Sequence, residues 1–372
     1  MNLNQNRLVD IFLELVAINA VAKSEKPVAD YIRKFLSNLQ ISVMEDATGR
    51  IIDGNSGNII AKIYNDGKKG PIPFALVAHM DTVKPTTGIK PLIMDGRITS
   101  DGNTILGADN RAGIALILYL IENLHSNKLS HQPFEIIFTV GEETGLYGST
   151  NLDMDMVESR NAYILDSSAD PGYFVCAAPG AVDFRIRFLG KGSHAAVNPD
   201  KGINALSMAA ALINRFSVGK VDEDTTINFG RISGGEANNV VPPLVELTGE
   251  IRSFNKNKIE HYSNRLSIQL KNISTEFGGN FELELEQAFP GFVLNKRSEA
   301  IKNLNSCLEK TGLTPMPIRY HGGSDANMLN NKGITAIDLG IGAKNPHSTE
   351  EYIMIRDLLA IEKLIHHLVL IQ

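Results

Sequence analysis

Residues 74–79 read FALVAH, and MDTV follows. Apolar side chains run unbroken from Phe74 to Ala78 and then stop at His79, with Asp81 two residues on. A short run that is apolar on both faces reads as a strand covered on both sides, as in a parallel sheet. Its polar end has two readings. Either the strand has reached solvent, or it delivers an imidazole and a carboxylate to a site.

Similar runs lie on either side: NIIAKI (58–63), FEIIFTV (134–140), AYILDS (162–167) and ITAIDLG (334–340). Between them, NRAGIALILYLIENL (110–124) reads as a crossover helix. Leu8, Ile11, Phe12 and Leu15, then Val28, Tyr31, Ile32, Phe35 and Leu39, fall at helical spacing, and a last helix is expected from about Tyr352 to Leu370. The sum is an α/β domain with a mostly parallel sheet flanked by helices.

The middle of the chain changes style. AVDFRIRFLG (181–190) alternates apolar and charged residues, as a sheet with one wet face does. Helices over 202–216 and 258–277 and strands over 225–233, 244–254 and 280–287 follow. The order β-α-β-β-α-β is the ferredoxin-like arrangement. It interrupts the α/β pattern, so residues 178–290 are expected to be an insertion and residues 1–177 with 291–372 a discontinuous domain.

Composition bounds the function. The chain has 372 residues, 43% hydrophobic and 21% charged, with a formal net charge of −6. That balance, without a Lys/Arg block, argues against a nucleic-acid partner. Two cysteines, Cys176 and Cys307, make neither a disulfide framework nor a cysteine-rich zinc module. The longest apolar stretch, IALILYLI (114–121), is far short of a membrane span. The N-terminus lacks a signal-peptide pattern, so a cytoplasmic protein is expected.

Polar residues gather at the expected carboxyl ends of strands, where open α/β sheets place their ligands. His79 and Asp81 follow one strand, Glu142 and Glu143 another, and Asp166 ends a third. Asp109 precedes the crossover helix, and His347 lies in the loop after ITAIDLG. Each has a bland reading by itself: Asp109 as a helix N-cap, the Glu-Glu pair as solvated surface, His347 as a loop residue. Together, histidines and carboxylates without cysteine suit a hydrolytic zinc, manganese or cobalt centre. Two ions sharing one carboxylate can hold a hydroxide between them, with one further glutamate as general base.

HMDTV, GADNRAG, GEETGLYGS, ILDSS and His347, in that order, resemble the M20 family of dinuclear metallopeptidases, peptidase T branch (tripeptide aminopeptidases), along essentially the whole chain. The resemblance implies a zinc-peptidase-like catalytic domain and an inserted lid or dimerisation domain, with a possible homodimer through it. It implies His79 and Asp166 as ligands of one metal, Asp109 as the bridging ligand, and Glu143 and His347 as ligands of the second. Two divalent ions follow, zinc first, with manganese or cobalt possible. Glu142 matches the general base and Asp81 the carboxylate that orients His79. A cis peptide at Asp109–Asn110 is also implied.

In the insertion, the resemblance gives His194 to oxyanion stabilisation and Asn239, Arg252 and Gly323 (in YHGGSDANML) to substrate binding. Arg252 has a bland alternative, pairing with Glu250 or Glu246 on the wet sheet face. The chain departs from the peptidase T pattern in having Ala195-Ala196 after His194 where His-Pro-Gly is usual, and it is somewhat shorter. The activity implied is a metal-dependent aminopeptidase acting on short peptides. An N-acyl-amino-acid hydrolase or carboxypeptidase on the same centre is the alternative. A non-catalytic peptide-binding protein is disfavoured, because every ligand position and Glu142 are present.

Overall fold

The computed structural model describes residues 3–65 and 70–370. The chain divides into two units: one of residues up to Cys176, Val293–Tyr320 and Ser324 onward, the other of Ala177–Phe292 with His321–Gly323.

In the first unit, Ala75–His79 is a strand buried along its whole length. It pairs in parallel with Phe134–Thr139 and with Asn161–Ser167, and Thr335–Gly340 extends the parallel set beyond Asn161–Ser167. Ile59–Ile63 adds to Phe134–Thr139 antiparallel, with Val43–Glu45 beyond it, and Tyr173–Ala178 adds antiparallel to Thr335–Gly340. The sheet is therefore mixed around a parallel centre. Its four parallel strands run side by side and finish at one edge.

The crossover helix runs from Ala108 to Ser126 and is buried over most of its length. Gly113 lets it lie on the sheet. A Cβ there would stand 2.5 Å from the Leu165 carbonyl oxygen, 3.0 Å from Ala78 Cβ and 2.2 Å from Asn110 Oδ1. Leu8, Ile11, Phe12 and Leu15 are fully buried along the helix Leu3–Val16. In Lys26–Asn38 the buried stripe is Val28, Ala29, Ile32 and Leu36, and Tyr31 donates instead to the Glu14 carboxylate at 2.6 Å. The last helix begins at Ile355, three residues later than its periodicity suggests. Tyr352–Met354 forms a strand paired with Arg97–Thr99, and that pairing overrides local preference.

In the second unit, the long strands run Thr225–Gly234, Leu244–Ser253, Gly180–Leu189, Asn280–Phe289, all antiparallel to their neighbours. The helices Ala205–Arg215 and Lys256–Phe277 complete a ferredoxin-like β-α-β-β-α-β unit. Phe184, Ile186 and Phe188 turn inward to Leu212, Leu247 and Leu266, while Arg187 turns outward and pairs with Glu282 at 2.8 Å. Asn204 caps the first of these helices through the Ser207 N–H. Gly202 and Ile203, which the periodicity would include, instead lie outside it, with Ile203 bridged to Lys191.

Gly113→Ala should lower stability by about 1–2 kcal/mol. Alanine's helix preference is worth about 1 kcal/mol, but a Cβ this close to fixed backbone puts the overpacking cost in the upper part of its usual range, about 2–3 kcal/mol. Urea denaturation reads the balance; an unchanged or raised midpoint would refute the close-packing argument.

Candidate metal centre

Each strand end supplies one part of the site. His79 closes Ala75–His79, Asp166 lies in Asn161–Ser167, and Glu142 and Glu143 follow Phe134–Thr139. His347 sits in the loop after Thr335–Gly340, at φ +62, a left-handed conformation that an L-residue adopts only at a cost. Asp109 lies inside the first turn of the crossover helix but has non-helical backbone angles, and Asp109–Asn110 is cis. Asp109 and Asn110 both have non-helical angles, so the regular helix begins beyond them and Asp109 is not its N-cap. Asn110 takes part of that work, accepting the Gly113 N–H at 3.1 Å while its amide donates to Asp166 Oδ1 at 2.8 Å.

The side chains converge. His79 Nε2 is 2.9 Å from Asp109 Oδ1 and 3.3 Å from Asp166 Oδ1. His347 Nε2 is 2.9 Å from Glu143 Oε2 and 3.4 Å from Asp109 Oδ2. Among the described residues three groups have donor atoms within 4.8 Å of one another, His79–Glu142–Glu143 and two that share Asp109, His79–Asp109–Asp166 and Asp109–Glu143–His347. Asp109 turns one oxygen to each of these two. Imidazole and carboxylate donors without thiolate suit zinc, manganese or cobalt alike.

The electrostatics agree with a cation site. Burial disfavours charge on His79, yet Asp166, Asp109 and Asp81 outweigh it and hold its pKa well above the usual value. Hydrogen bonds to Asp109 and Glu143 push His347 up to about 10 against the opposing effect of burial. Burial raises Asp166 to about 7 and drives Glu142 well upward, with Asp166, Asp325 and Glu143 adding repulsion and His79 opposing. The carboxylates that raise both histidines also present the clustered negative charge that divalent ions bind.

The loops that carry these groups are clamped by further carboxylates. Asp81 is fully buried, and its two oxygens accept the N–H groups of Glu142 and Glu143 at 3.0 and 3.1 Å. His79 Nδ1 lies 3.0 Å from the Asp81 carbonyl oxygen and 3.4 Å from its carboxylate. Asp81 therefore holds the Glu142–Glu143 turn as well as standing beside the ring. Glu25, also fully buried, accepts the N–H of Gly141 at 2.9 Å. Arg111, 1% exposed, donates to the Met80 and Ala20 carbonyls and supplies positive charge to Asp81 and Glu25. Glu351 holds the segment before Asp109 through three N–H groups. Sequence reading missed Glu25, Arg111 and Glu351. Arg111 sits within GADNRAG, but nothing around Glu25 or Glu351 marks either as buried.

The second unit arranges the other predicted residues separately. His194 Nδ1 accepts the N–H groups of Ala196 and Val197 at 3.2 and 3.3 Å, which leaves the proton on Nε2. Its loop is joined to that of Asn239, whose carbonyl accepts the Ala195 N–H at 2.9 Å. Arg252 pairs with Glu250 at 2.9 Å and stacks 5.6 Å from the Phe289 ring centroid. Gly323 lies under the same ring, where a Cβ would come within 2.6 Å of Phe289.

The sequence pattern of Peptidase family M20/M25/M40 matches residues 75–371. The chain is a member of this family. This M20 peptidase is 35% identical over 355 residues to the uncharacterized protein YqjE of Bacillus subtilis (strain 168), covering 95% of each chain. It resembles the crystal structure of aminopeptidase PepT from Bacillus cereus at a TM-score of 0.91, with 35% identity and 98% of each chain covered. A tripeptidase from Staphylococcus aureus superposes at 0.93 with 32% identity, covering 98% of this chain and 97% of that one. The enzyme's ligand clusters fit the family's peptidase chemistry, and none of its helices, among the described residues, is long and apolar enough to cross a membrane.

Metal-free enzyme should lose stability as pH rises above neutrality. His347 has its folded pKa raised to about 10 from 6.5. Its contribution is complete below about pH 6.5 and is lost as pH rises through about 10. Urea midpoints of chelator-treated protein should fall across that window, and His347→Asn should flatten the fall. A metal-free midpoint that holds steady or rises there would contradict the assignment.

Proposed function

We propose that the enzyme is a metal-dependent aminopeptidase of short peptides, with tripeptides as the leading substrate class. The observation that carries this reading is the position of Asp109, one oxygen toward His79 and the other toward His347, with Glu142 on the adjoining turn. The likeness to the Bacillus cereus aminopeptidase and the Staphylococcus aureus tripeptidase supports the substrate class.

In this reading His79, Asp166 and Asp109 would hold one divalent ion, and Asp109, Glu143 and His347 would hold a second. Two such ions supply polarisation of a peptide carbonyl and a more acidic water. Glu142 takes the proton from the attacking water and returns it to the departing amine. Its raised pKa suits the return step, and nearby divalent charge would lower it for the first. Asp81 keeps Glu142 and Glu143 aimed by holding their backbone. Arg111 balances the charge of Asp81.

We assign His194, Asn239, Arg252 and Gly323 to the substrate. The His194 tautomer leaves Nε2–H free to donate to a developing oxyanion. Glu250 takes the Nε–Nη2 edge of Arg252 and the His321 carbonyl accepts from Nη1 at 3.5 Å, so a two-point carboxylate grip requires an exchange of partners. Gly323 keeps the chain close to Phe289. We also propose a homodimer through the ferredoxin-like unit. Thr225–Gly234 is paired on its outer side only at Thr226 and Ile227 among the described residues, which leaves Ile232 on an open edge.

Hydrolysis of a free tripeptide and its N-acetylated twin, with and without zinc, manganese or cobalt, tests the reading. Metal-dependent turnover of the free peptide alone is expected, with Glu142→Ala lowering kcat by about 10²–10⁴-fold. Turnover of the acetylated peptide alone would move the enzyme to the acylases. Metal-independent turnover would overturn the centre itself.

A further inference from the structure

Glu351 is 1% exposed and four residues beyond His347. Its Oε2 accepts the N–H groups of Leu106 and Gly107 at 2.9 and 2.7 Å, and its Oε1 accepts that of Asp109 at 3.0 Å. Its own backbone is fixed as well. The carbonyl accepts the Thr99 hydroxyl at 3.1 Å, the N–H donates to the Ser348 carbonyl at 3.2 Å, and the next residue opens the strand paired with Arg97–Thr99. One carboxylate thus ties the loop of His347 to the loop of Asp109. The two side chains so tied stand 3.4 Å apart.

The segment it holds needs an outside acceptor. Gly107 is left-handed, and Asp109 and Asn110 have non-helical angles, so the N–H groups of Leu106, Gly107 and Asp109 lie ahead of the regular helical ladder. An apolar residue at 351 would leave these three N–H donors without their acceptor.

We propose that Glu351 is a positioning residue of the dinuclear centre, setting the Asp109 backbone relative to His347 so that one carboxylate reaches two ions. This rests on the reading of Asp109 as the shared ligand. Glutamine at 351 offers one acceptor oxygen and turns an NH₂ group toward N–H donors, so part of the three-bond grip is lost. Outer carboxylates that orient metal ligands typically alter metal affinity by about 10–100-fold.

Chelator competition on the full-length protein, with zinc and with cobalt, measures the affinity for each ion, and the cobalt absorption spectrum reports coordination. Glu351→Gln should weaken binding of the second ion about 10–100-fold and change the cobalt spectrum. Glu350→Gln, one residue away and exposed, should bind as wild type does. Glu351→Asp keeps the charge on a shorter arm and should fall between; it carries the test if Glu351→Gln does not fold. Wild-type affinity and spectrum in a folded Glu351 variant would overturn the proposal, and so would lost stability with unchanged metal affinity. Wild-type protein that takes up no more than one ion would overturn the parent reading and this one with it.

Discussion

Two hydrogen bonds from the Glu142 and Glu143 backbone to the carboxylate of Asp81 hold the centre of this enzyme together. They join the end of one parallel strand to the turn after its neighbour. Without them, Glu142 and Glu143 would sit on a turn with no regular ladder to fix it. Asp81 is fully buried, and an isolated buried carboxylate is costly. Here two N–H donors and the nearby charge of Arg111 offset that cost. Glu25 on Gly141 and Glu351 on the 106–109 segment repeat the device.

These braces concentrate negative charge around the ligands. His79 and His347 both have raised pKa values, because Asp166, Asp109 and Asp81 around the one and Asp109 and Glu143 around the other favour the charged imidazole. A site with this concentration of carboxylates calls for a counter-charge, and the same groups would serve both metal binding and the chemistry we propose. Burial, with the same repulsion added to it, raises the pKa of Glu142, the group to which we assign the proton transfer between water and amine. Structure and reactivity at this centre are therefore not separable contributions.

Much of the fold was legible in the sequence because its signals are local. The apolar runs at Ala75, Phe134, Asn161 and Thr335 became adjacent parallel strands, and the alternation through Phe184, Ile186 and Phe188 became a one-sided sheet. Short elements were not legible. Tyr352–Met354 looks like the first turn of a helix and becomes a strand only because Arg97–Thr99 lies beside it. Ile59–Ile63 has the composition of its parallel neighbours but runs antiparallel, and composition does not encode strand direction.

The sequence by itself determined which residue types stand at the strand ends and in what order: His79, Asp109, Glu142 with Glu143, Asp166 and His347. Strand periodicity and motif spacing are properties of neighbouring residues, so the chain carries them without folding. Only the tertiary structure decided that Asp109 faces both histidines, that Asp81 holds a turn some sixty residues away, and that Arg252 pairs with Glu250. It alone revealed Glu25, Arg111 and Glu351 as buried braces. Their partners are backbone N–H and carbonyl groups, which every residue but proline offers equally. A brace of that kind leaves no mark on its partner's identity, and its position is set by the fold alone.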